Sequence, residues 1–392
     1  MYTFGYNCIM IPRELQETLV RWAGQYPAIT LIGPRQSGKT TLAKSAFPDK
    51  RYVNLEDAQE RVFAESDPRG FLSRFPDGAI IDEIQNAPGL LSQVQTEIDA
   101  GRGDGRFILT GSNQASLRAG ISQTLAGRTA IGQLYPFTLS ELEGFFPTRD
   151  VNSLLNSGFY PRIWDKALDP AEALAFYAAT YIERDLRSVQ AIQDIGRFQK
   201  FMMLCAGRVG QLLNMASLAA DAGVSPNTVK DWISKLEEGF IVFLLQPWHE
   251  NIGKRLVKAP KLYFWDVGLA SWFLGNRSPV HVAAHPLRGS LFENLVIADT
   301  LKRERHRSGQ RGFYFFRDNH GLEVDLMISD GPSIDLVEIK SGETAHPDLW
   351  RRLPFVRKAI DRPGNDIVVY GGDGAWETRG VHVCGWKERL TD

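Results

Sequence analysis

Over the first third of the chain, short apolar runs alternate with helix-like stretches. AITLIG, RYVNLE, AIIDE, RFILTG and TAIGQLY read as five strands: Ala28–Gly33, Arg51–Glu56, Ala79–Glu83, Arg106–Gly111 and Thr129–Tyr135. Strands that alternate with helices predict a mostly parallel sheet covered on both faces. From about Phe145 to Leu213 the strand signal disappears, and DPAEALAFYAATYIERDL predicts a helix with Asp169 as N-cap and Pro170 at its first position. From about Gly289 the order is helix, strand, strand, strand, helix, strand, carried by SLFENLVIADTLKRER, GFYFFRD, LEVDLMIS, SIDLVEIKS, PDLWRRLPFVRKAI and DIVVYGG. That order predicts a compact α/β unit, with RERHRSGQRG as a basic loop (Arg303–Arg311) between its helix and its first strand.

Between these regions, NMASLAADAGVSPNTVKDWISKLEEGFIVFLLQPW has helix–turn–helix spacing. One helix runs from about Asn214 to Ala222, Gly223 and Val224 make the turn, Ser225 caps and Pro226 starts the second helix. Val229, Trp232, Ile233 and Leu236, at i, i+3, i+4 and i+7, form the buried stripe. Asn227, Lys230, Ser234 and Lys235 lie on the exposed face, where a recognition helix meets a major groove. Asp231, Glu237 and Glu238 oppose its positive character, so DNA contact and protein contact both stay open. IVFLLQPW reads as the wing. The run Gly253–Lys261 adds four positive charges, suited to phosphates or to a solvated edge.

Bulk properties narrow the class. The chain has 392 residues, 43 % of them hydrophobic and 23 % charged, enough for two to four domains with ordinary cores. A net charge of −1 announces no global attraction to nucleic acid, so any such partner has to be met by local patches. Cys8, Cys205 and Cys384 form no CxxC pair, which fits a reducing compartment and disfavours a thiolate zinc site. MYTFGYNCIMIPR lacks the basic stretch of a signal peptide, and no apolar run is long enough to span a membrane. The expectation is a cytoplasmic protein.

GPRQSGKT fits G-x-x-x-x-G-K-[ST] and lies between an apolar strand and a helix. There a glycine-rich loop aims backbone N–H groups and a helix N-terminus at phosphate oxygens. Gly33, Pro34, Arg35, Gln36, Ser37, Gly38, Lys39, Thr40 and Thr41 are the expected ATP-binding residues; Lys39 reaches the terminal phosphates and Thr40 offers its hydroxyl to Mg²⁺. AIIDE ends a strand in two carboxylates, placing Asp82 beside the metal and Glu83 where it orients or deprotonates the attacking water. RFILTGSNQ ends the neighbouring strand in Ser112 and Asn113, candidates to hold that water or the γ-phosphate. Arg128, in LAGRTA, and Arg118 are candidate cations for the transition state.

VEIKSG raises a second chemistry. LEVDLMIS and SIDLVEIKS flank DGPS, so they pair as a hairpin, and folding about Gly331 and Pro332 sets Asp325 opposite Glu338. Strand alternation puts Glu338 and Lys340 on one face. Two carboxylates and an amine so placed hold Mg²⁺ through oxygen and position a water against a phosphodiester. Glu293, on the preceding helix, is a fourth candidate, either as a metal ligand or as the partner of Ser290 in a capping box. The plain alternative for Asp325, Glu338 and Lys340 is a cross-strand ion cluster at a sheet edge.

LIGPRQSGKTTL, AIIDEIQ, LTGSNQ, LAGRTAIGQLYPFTLSEL, the run from YIERDL, and KRLVKAPKLYFWDVGLASWFLG together resemble a prokaryotic family of AAA-type ATPases. Members of that family carry a C-terminal domain of unknown function similar to restriction-type PD-(D/E)XK nucleases. The order helix-Glu, strand-Asp, strand-Glu-x-Lys carries the second resemblance. The resemblance implies a multidomain α/β chain: an AAA-type P-loop ATPase domain (1–144), a helical lid (145–211), a winged-helix segment (212–280) and a nuclease-like domain (281–392). A second arginine sensor in a long lid is missing, which counts against a ring-shaped hexamer. The expected activity is ATP hydrolysis with ATP and Mg²⁺. Nucleotide state is expected to move lid and winged helix and so to expose or shield the C-terminal site. The expected partner is DNA, through the winged helix and C-terminal domain. The alternative is a nucleotide-switched interaction protein whose nuclease-like domain binds a protein or nucleic acid without cleaving.

Overall fold

The computed structural model describes residues 10–101, 103–112, 117, 120–121, 123–144, 150–181, 194–249, 259–318, 321–388 and 390. The chain packs as two units. The first comprises residues up to 137 with 238–240 and 305–309; the second comprises 138–237, 241–304 and 310 onward.

The first unit is built on β1 (Ala28–Ile32), β2 (Arg51–Asn54), β3 (Ala79–Asp82), β4 (Phe107–Gly111) and β5 (Thr129–Gln133), in the order β2-β3-β4-β1-β5. Every pairing is parallel. All five expected strands are present, and β4 lies beside β3 as the motif order implies. Each residue of β1, β3 and β4 is buried, because helices cover both faces of a parallel sheet and leave no polar side to alternate with. Leu15 and Leu19 of the helix Leu15–Ala23 and Leu42 and Ala43 of the helix Lys39–Ala46 pack on Ile29, Leu31, Ile80 and Ile108. Parallel strands put all their C-terminal ends at one edge, so Ile32, Asp82 and Gly111 finish together.

Between residues 150 and 206 the second unit contains helices only, among the described residues: Val151–Ser157, Pro161–Asp165, Pro170–Tyr181 and Ile195–Ala206. Asp169 accepts the Glu172 N–H at 2.9 Å, as the capping pattern predicts. The helices Met215–Ala222 and Pro226–Glu238 follow, joined through Gly223 in the left-handed region (φ 71°). Val229, Trp232, Ile233 and Leu236 are buried; Asn227, Lys230 and Ser234 are exposed and Lys235 is half-buried. An antiparallel pair comes next, β6 (Val242–Pro247) and β7 (Lys261–Phe264).

That pair does not end the segment's role. β6 runs parallel to β8 (Gly312–Arg317), through Gln246 with Tyr314 and Pro247 with Phe315. Then come β9 (Glu323–Asp330), β10 (Ser333–Lys340), β11 (Asp366–Tyr370), β12 (Trp376–Thr378) and β13 (Val381–Gly385). The eight-stranded order is β12-β13-β11-β10-β9-β8-β6-β7, so strands from both sides of residue 280 share one sheet. The β9–β10 hairpin turns at Gly331 (φ 57°) and pairs Ser333 with Asp330 and Val337 with Leu326, the register that brings Asp325 to the level of Glu338.

β7 is the last strand, and its outer edge is covered rather than open. Gly210 N–H donates to Leu262 O at 2.9 Å and Leu262 N–H to Gln211 O at 3.2 Å. Asn294, fully buried on the helix Arg288–His306, accepts from Phe264 N–H at 2.7 Å and donates to Phe264 O at 2.8 Å. A side-chain amide thus supplies the ladder bonds that a further strand would make.

The helix Arg288–His306 corrects one expectation. RERHRSGQRG is not loop throughout: Arg303 to His306 are helical, and Arg303 is 2 % exposed. Burying the helix's inner face takes Arg303 away from solvent, where phosphates would meet it. Among the described residues no helix is long and apolar enough to cross a membrane.

Asn294→Ala leaves the Phe264 amide and carbonyl buried without partners. It is expected to cost about 2–4 kcal/mol of unfolding free energy, measured by urea denaturation; a change below about 0.5 kcal/mol would refute the edge-closing role.

Candidate active sites

The loop Gly33–Thr40 follows β1. A Cβ on Gly33 would lie 2.1 Å from the Leu134 carbonyl oxygen, so only glycine fits this close approach. Gln36 (φ 59°) and Gly38 (φ 91°) turn the backbone through the left-handed region. Ser37 Oγ donates to Pro34 O at 2.9 Å, and the helix begins at Lys39. Lys39 is buried; its Nζ donates to Gly33 O at 3.0 Å and Pro34 O at 2.8 Å, folding the ammonium over its own loop. Thr41 is exposed on the helix, Gln36 is exposed on the loop and Arg35 is half-buried there.

Three hydroxyls converge on Asp82. Thr40 Oγ1 donates to Oδ2 at 2.7 Å, Tyr52 OH donates to the same oxygen at 2.9 Å, and Thr110 Oγ1 donates to Oδ1. Burial, and then the bond to Asp82, pushes the Tyr52 hydroxyl above its ordinary pKa, which keeps it a donor. Glu83 sits in the left-handed region (φ 56°), and its Oε2 accepts from Ser112 Oγ at 3.2 Å and from Gln85 Nε2. The donor set suits ATP with Mg²⁺: a helix start and an ammonium for phosphate, and hard oxygens from Thr40 and Asp82 for the cation.

Arg128 is corrected as a cation for this site. Ala28 N–H donates to its carbonyl at 3.2 Å, which places it where β5 begins, at the opposite end of the sheet from Gly33. A five-residue strand separates the two, about 16 Å. Its guanidinium instead grips Asp99 with two bonds, at 2.6 and 3.0 Å. Asn113 and Arg118 lie outside the described residues. Arg13, which the sequence did not single out, is buried at the loop: it donates to Ser37 O and Tyr135 O, each at 2.7 Å, and lies over the Phe137 ring. Tyr52 and Thr110 were missed too. Thr110 was within reach, since it stands two positions before Ser112 on a strand already assigned to the site.

In the second unit the structure gathers Asp325, Glu338, Lys340 and Glu293. Lys340 Nζ lies 2.6 Å from Glu338 Oε1 and 3.2 Å from Asp325 Oδ2. Asp325 Oδ2 also accepts the Ile339 N–H at 2.8 Å. Glu293 comes from the helix but makes no capping box: the helix starts at Arg288, before Ser290, and Glu293 Oε1 instead accepts from Tyr263 OH at 2.5 Å. Lys261 also reaches it, with Nζ 3.4 Å from Glu293 Oε1 and 2.7 Å from Glu323 Oε1. Lys261, expected among the charges suited to phosphates or a solvated edge, is instead buried against these acids; Tyr263 and Glu323 escape a sequence reading because β7 is remote in the chain from β9. Lys254, Arg255 and Lys258, its companions in the expected basic run, lie outside the described residues.

Burial, followed by the neighbouring Asp325 charge, pushes the carboxyls of Glu293 and Glu338 up to about 7. Burial opposes the charge on Lys340, but Asp325 and then Glu338 outweigh it and hold the ammonium above its usual range. Lys261 is raised against burial in the same way, by Glu293, Asp325 and Glu323. Among the described residues no three carboxylate, imidazole or thiol groups are gathered as a metal would gather them; ammonium groups stand between the acids instead. Glu338 Oε2, however, is buried with no hydrogen-bond partner. A hard oxygen left unanswered beside Asp325 fits a divalent cation.

Comparisons with known proteins divide the chain into three segments, two of which contribute strands to the one eight-stranded sheet. Residues 25–143 match the family model described as AAA domain, and residues 148–280 and 288–388 match two domains of unknown function, DUF8612 and DUF4143. The chain is 28 % identical over 369 residues to the uncharacterized protein Rv2008c of Mycobacterium tuberculosis, a match covering 91 % of this chain and 81 % of that protein. The uncharacterized protein Mb2031c of Mycobacterium bovis matches with the same figures. Among solved structures, the Walker-type ATPase paby2304 of Pyrococcus abyssi is 15 % identical with a TM-score of 0.45, covering 67 % of this chain and 96 % of that one. AMPPCP-bound DnaA from Aquifex aeolicus is 16 % identical with a TM-score of 0.31, covering 57 % and 86 %. The AAA-domain match coincides with the parallel sheet and phosphate loop, and together they identify residues 25–143 as an AAA-type P-loop domain.

Gly33→Ala forces the loop off the Leu134 carbonyl. It is expected to weaken ATP binding at least tenfold, about 1.4 kcal/mol, in a fluorescent-nucleotide titration; unchanged affinity would refute the close-packing account. For the acidic cluster, the folded chain binds more protons than the unfolded chain between the free carboxyl value of 4.5 and about 7. Stability therefore falls as pH rises through that window, by on the order of 1 kcal/mol per pH unit for each full proton. Replacing Glu293 and Glu338 together with Gln is expected to flatten that slope in urea denaturation; parallel slopes would show that neither group titrates there.

Proposed function

We propose that this chain is a Mg²⁺-dependent ATPase whose second unit carries a nuclease-type acidic cluster and acts on nucleic acid. The convergence of Thr40 and Tyr52 on Asp82 beside the phosphate loop carries the ATPase reading. Bound magnesium supplies charge neutralisation for the transferred phosphoryl group. Lys39 and the start of its helix hold the phosphates, Thr40 and Asp82 hold the metal, and Tyr52 and Thr110 fix the Asp82 carboxylate. Glu83 takes the proton of the attacking water or orients it; Ser112 and Gln85 hold its carboxylate meanwhile. Arg13 steadies the loop from behind through Ser37 O.

For the cluster, Asp325 and Glu338 are the proposed metal ligands and Lys340 the group that stabilises charge on a phosphodiester. The unpartnered Glu338 oxygen supports this reading. The exposed face bearing Asn227, Lys230 and Ser234 is the proposed contact with DNA. A second reading, a nucleotide-switched protein that binds without cleaving, is favoured by the ammonium groups of Lys261 and Lys340 already standing between the carboxylates.

ATP hydrolysis is expected to fall at least about 100-fold in Lys39→Ala; turnover persisting in that variant would remove the loop from the mechanism. Mg²⁺-dependent DNA cleavage is expected of the wild type and is expected to be lost in Asp325→Ala, Glu338→Ala and Lys340→Ala. Absence of cleavage by the wild type, with retained DNA binding, selects the second reading.

A further inference from the structure

Two halves of the acidic cluster are built differently. On one side Lys261 is 3 % exposed and fixed in β7, with Glu293 and Glu323 on its ammonium and the Phe315 ring 5.4 Å away. Tyr263, two residues on, donates to the Glu293 oxygen that Lys261 also approaches. On the other side Lys340 reaches Asp325 and Glu338 with a side chain 39 % exposed, against 4 % for that of Lys261. There, too, lies the Glu338 oxygen with no partner. A lysine stem with an open flank swings aside without breaking the fold; one enclosed by a strand and an aromatic ring does not.

Resting on the metal reading of Asp325 and Glu338, we propose that Lys261 is a fixed internal cation that takes the place of a second divalent ion, so that the cluster accepts one. The charges support this. Four carboxylates, Glu293, Glu323, Asp325 and Glu338, face two ammonium groups. One of those, Lys261, holds the Glu293–Glu323 pair as a hard cation would, by bridging two oxygens. That pair has no need of a metal, whereas the Asp325–Glu338 pair keeps a buried oxygen that the open-flanked Lys340 leaves unanswered. Lys261 acts by occupying the second position and touches no reacting atom; it is a positioning residue.

The test is the number of Mn²⁺ ions bound, by calorimetry on the full chain without nucleotide. The chain carries Asp82→Asn so that the first unit adds no metal. One ion per chain is expected with Lys261 in place, and one with Lys261→Arg, which keeps the charge. Two are expected with Lys261→Gln and with Lys261→Met, which matches the lysine stem in shape and serves if the Gln variant fails to fold. Magnetic coupling between paired Mn²⁺ ions, read by electron paramagnetic resonance, is expected only in the uncharged variants. Two ions with Lys261 present, or one ion in every protein, overturns the inference and leaves the metal reading standing. No binding by any of the proteins overturns both.

Discussion

Carboxylates withdrawn from water have to be answered by positive charge or by hydrogen-bond donors, and in the second unit cations give most of that answer near the end of β10. Asp325 and Glu338 are each 8 % exposed, and Glu293 stands close enough to feel the Asp325 charge. Left alone, such a group would hold its proton or leave the interior. Lys340 and Lys261 meet the acids from two directions, one from the strand that carries Glu338 and one from the far edge of the sheet, yet burial still holds the Glu293 and Glu338 carboxyls up at about 7. The ladder that positions them is therefore part of the site's chemistry. Asn294 illustrates the link, since the helix that brings Glu293 also closes the edge of the strand that brings Lys261.

The first unit meets the same constraint with different partners. Asp82 is 4 % exposed, and hydroxyl groups rather than cations surround it. Hydroxyls stabilise the carboxylate without neutralising it, so its charge stays available to a metal ion. Lys39 likewise rests on carbonyl oxygens of its own loop, partners that a phosphate oxygen outcompetes because it carries full charge. Arg13 makes bonds of the same type but lies behind the loop, where its guanidinium braces Ser37 and Tyr135.

How far the sequence could be read depended on distance along the chain. The five strands of the first unit, the capped helix at Asp169 and the buried stripe Val229–Trp232–Ile233–Leu236 all express local periodicity. The Asp325–Glu338 pairing was legible for a related reason, because a tight turn at Gly331 sets the register of both strands. The hairpin β12–β13 was not legible. Its three-residue strand is mostly exposed and has no apolar pattern; it exists because Val381 and Val383 pack into the core formed by Val368 and Leu336. Ser290 misled in the opposite sense: its spacing to Glu293 fits a capping box, but the helix begins earlier and frees the glutamate for Tyr263.

By itself, then, the sequence determined what neighbouring residues impose on one another: the phosphate loop, the parallel strands that feed it, and the hairpin that aligns two acids with a lysine. Only the tertiary structure decided which distant charges meet. Arg128 shares a strand with the residues that approach the loop yet lies at the wrong end of it, because strand direction, not proximity in sequence, sets which edge a side chain occupies. Lys261 stands three strands from β9 in hydrogen-bond order, about 14 Å in a flat sheet. Even so, Lys261 Nζ meets Glu323 Oε1 at 2.7 Å once the sheet is assembled. Local pattern carries no record of such a meeting, since it arises from how strands pack after they form.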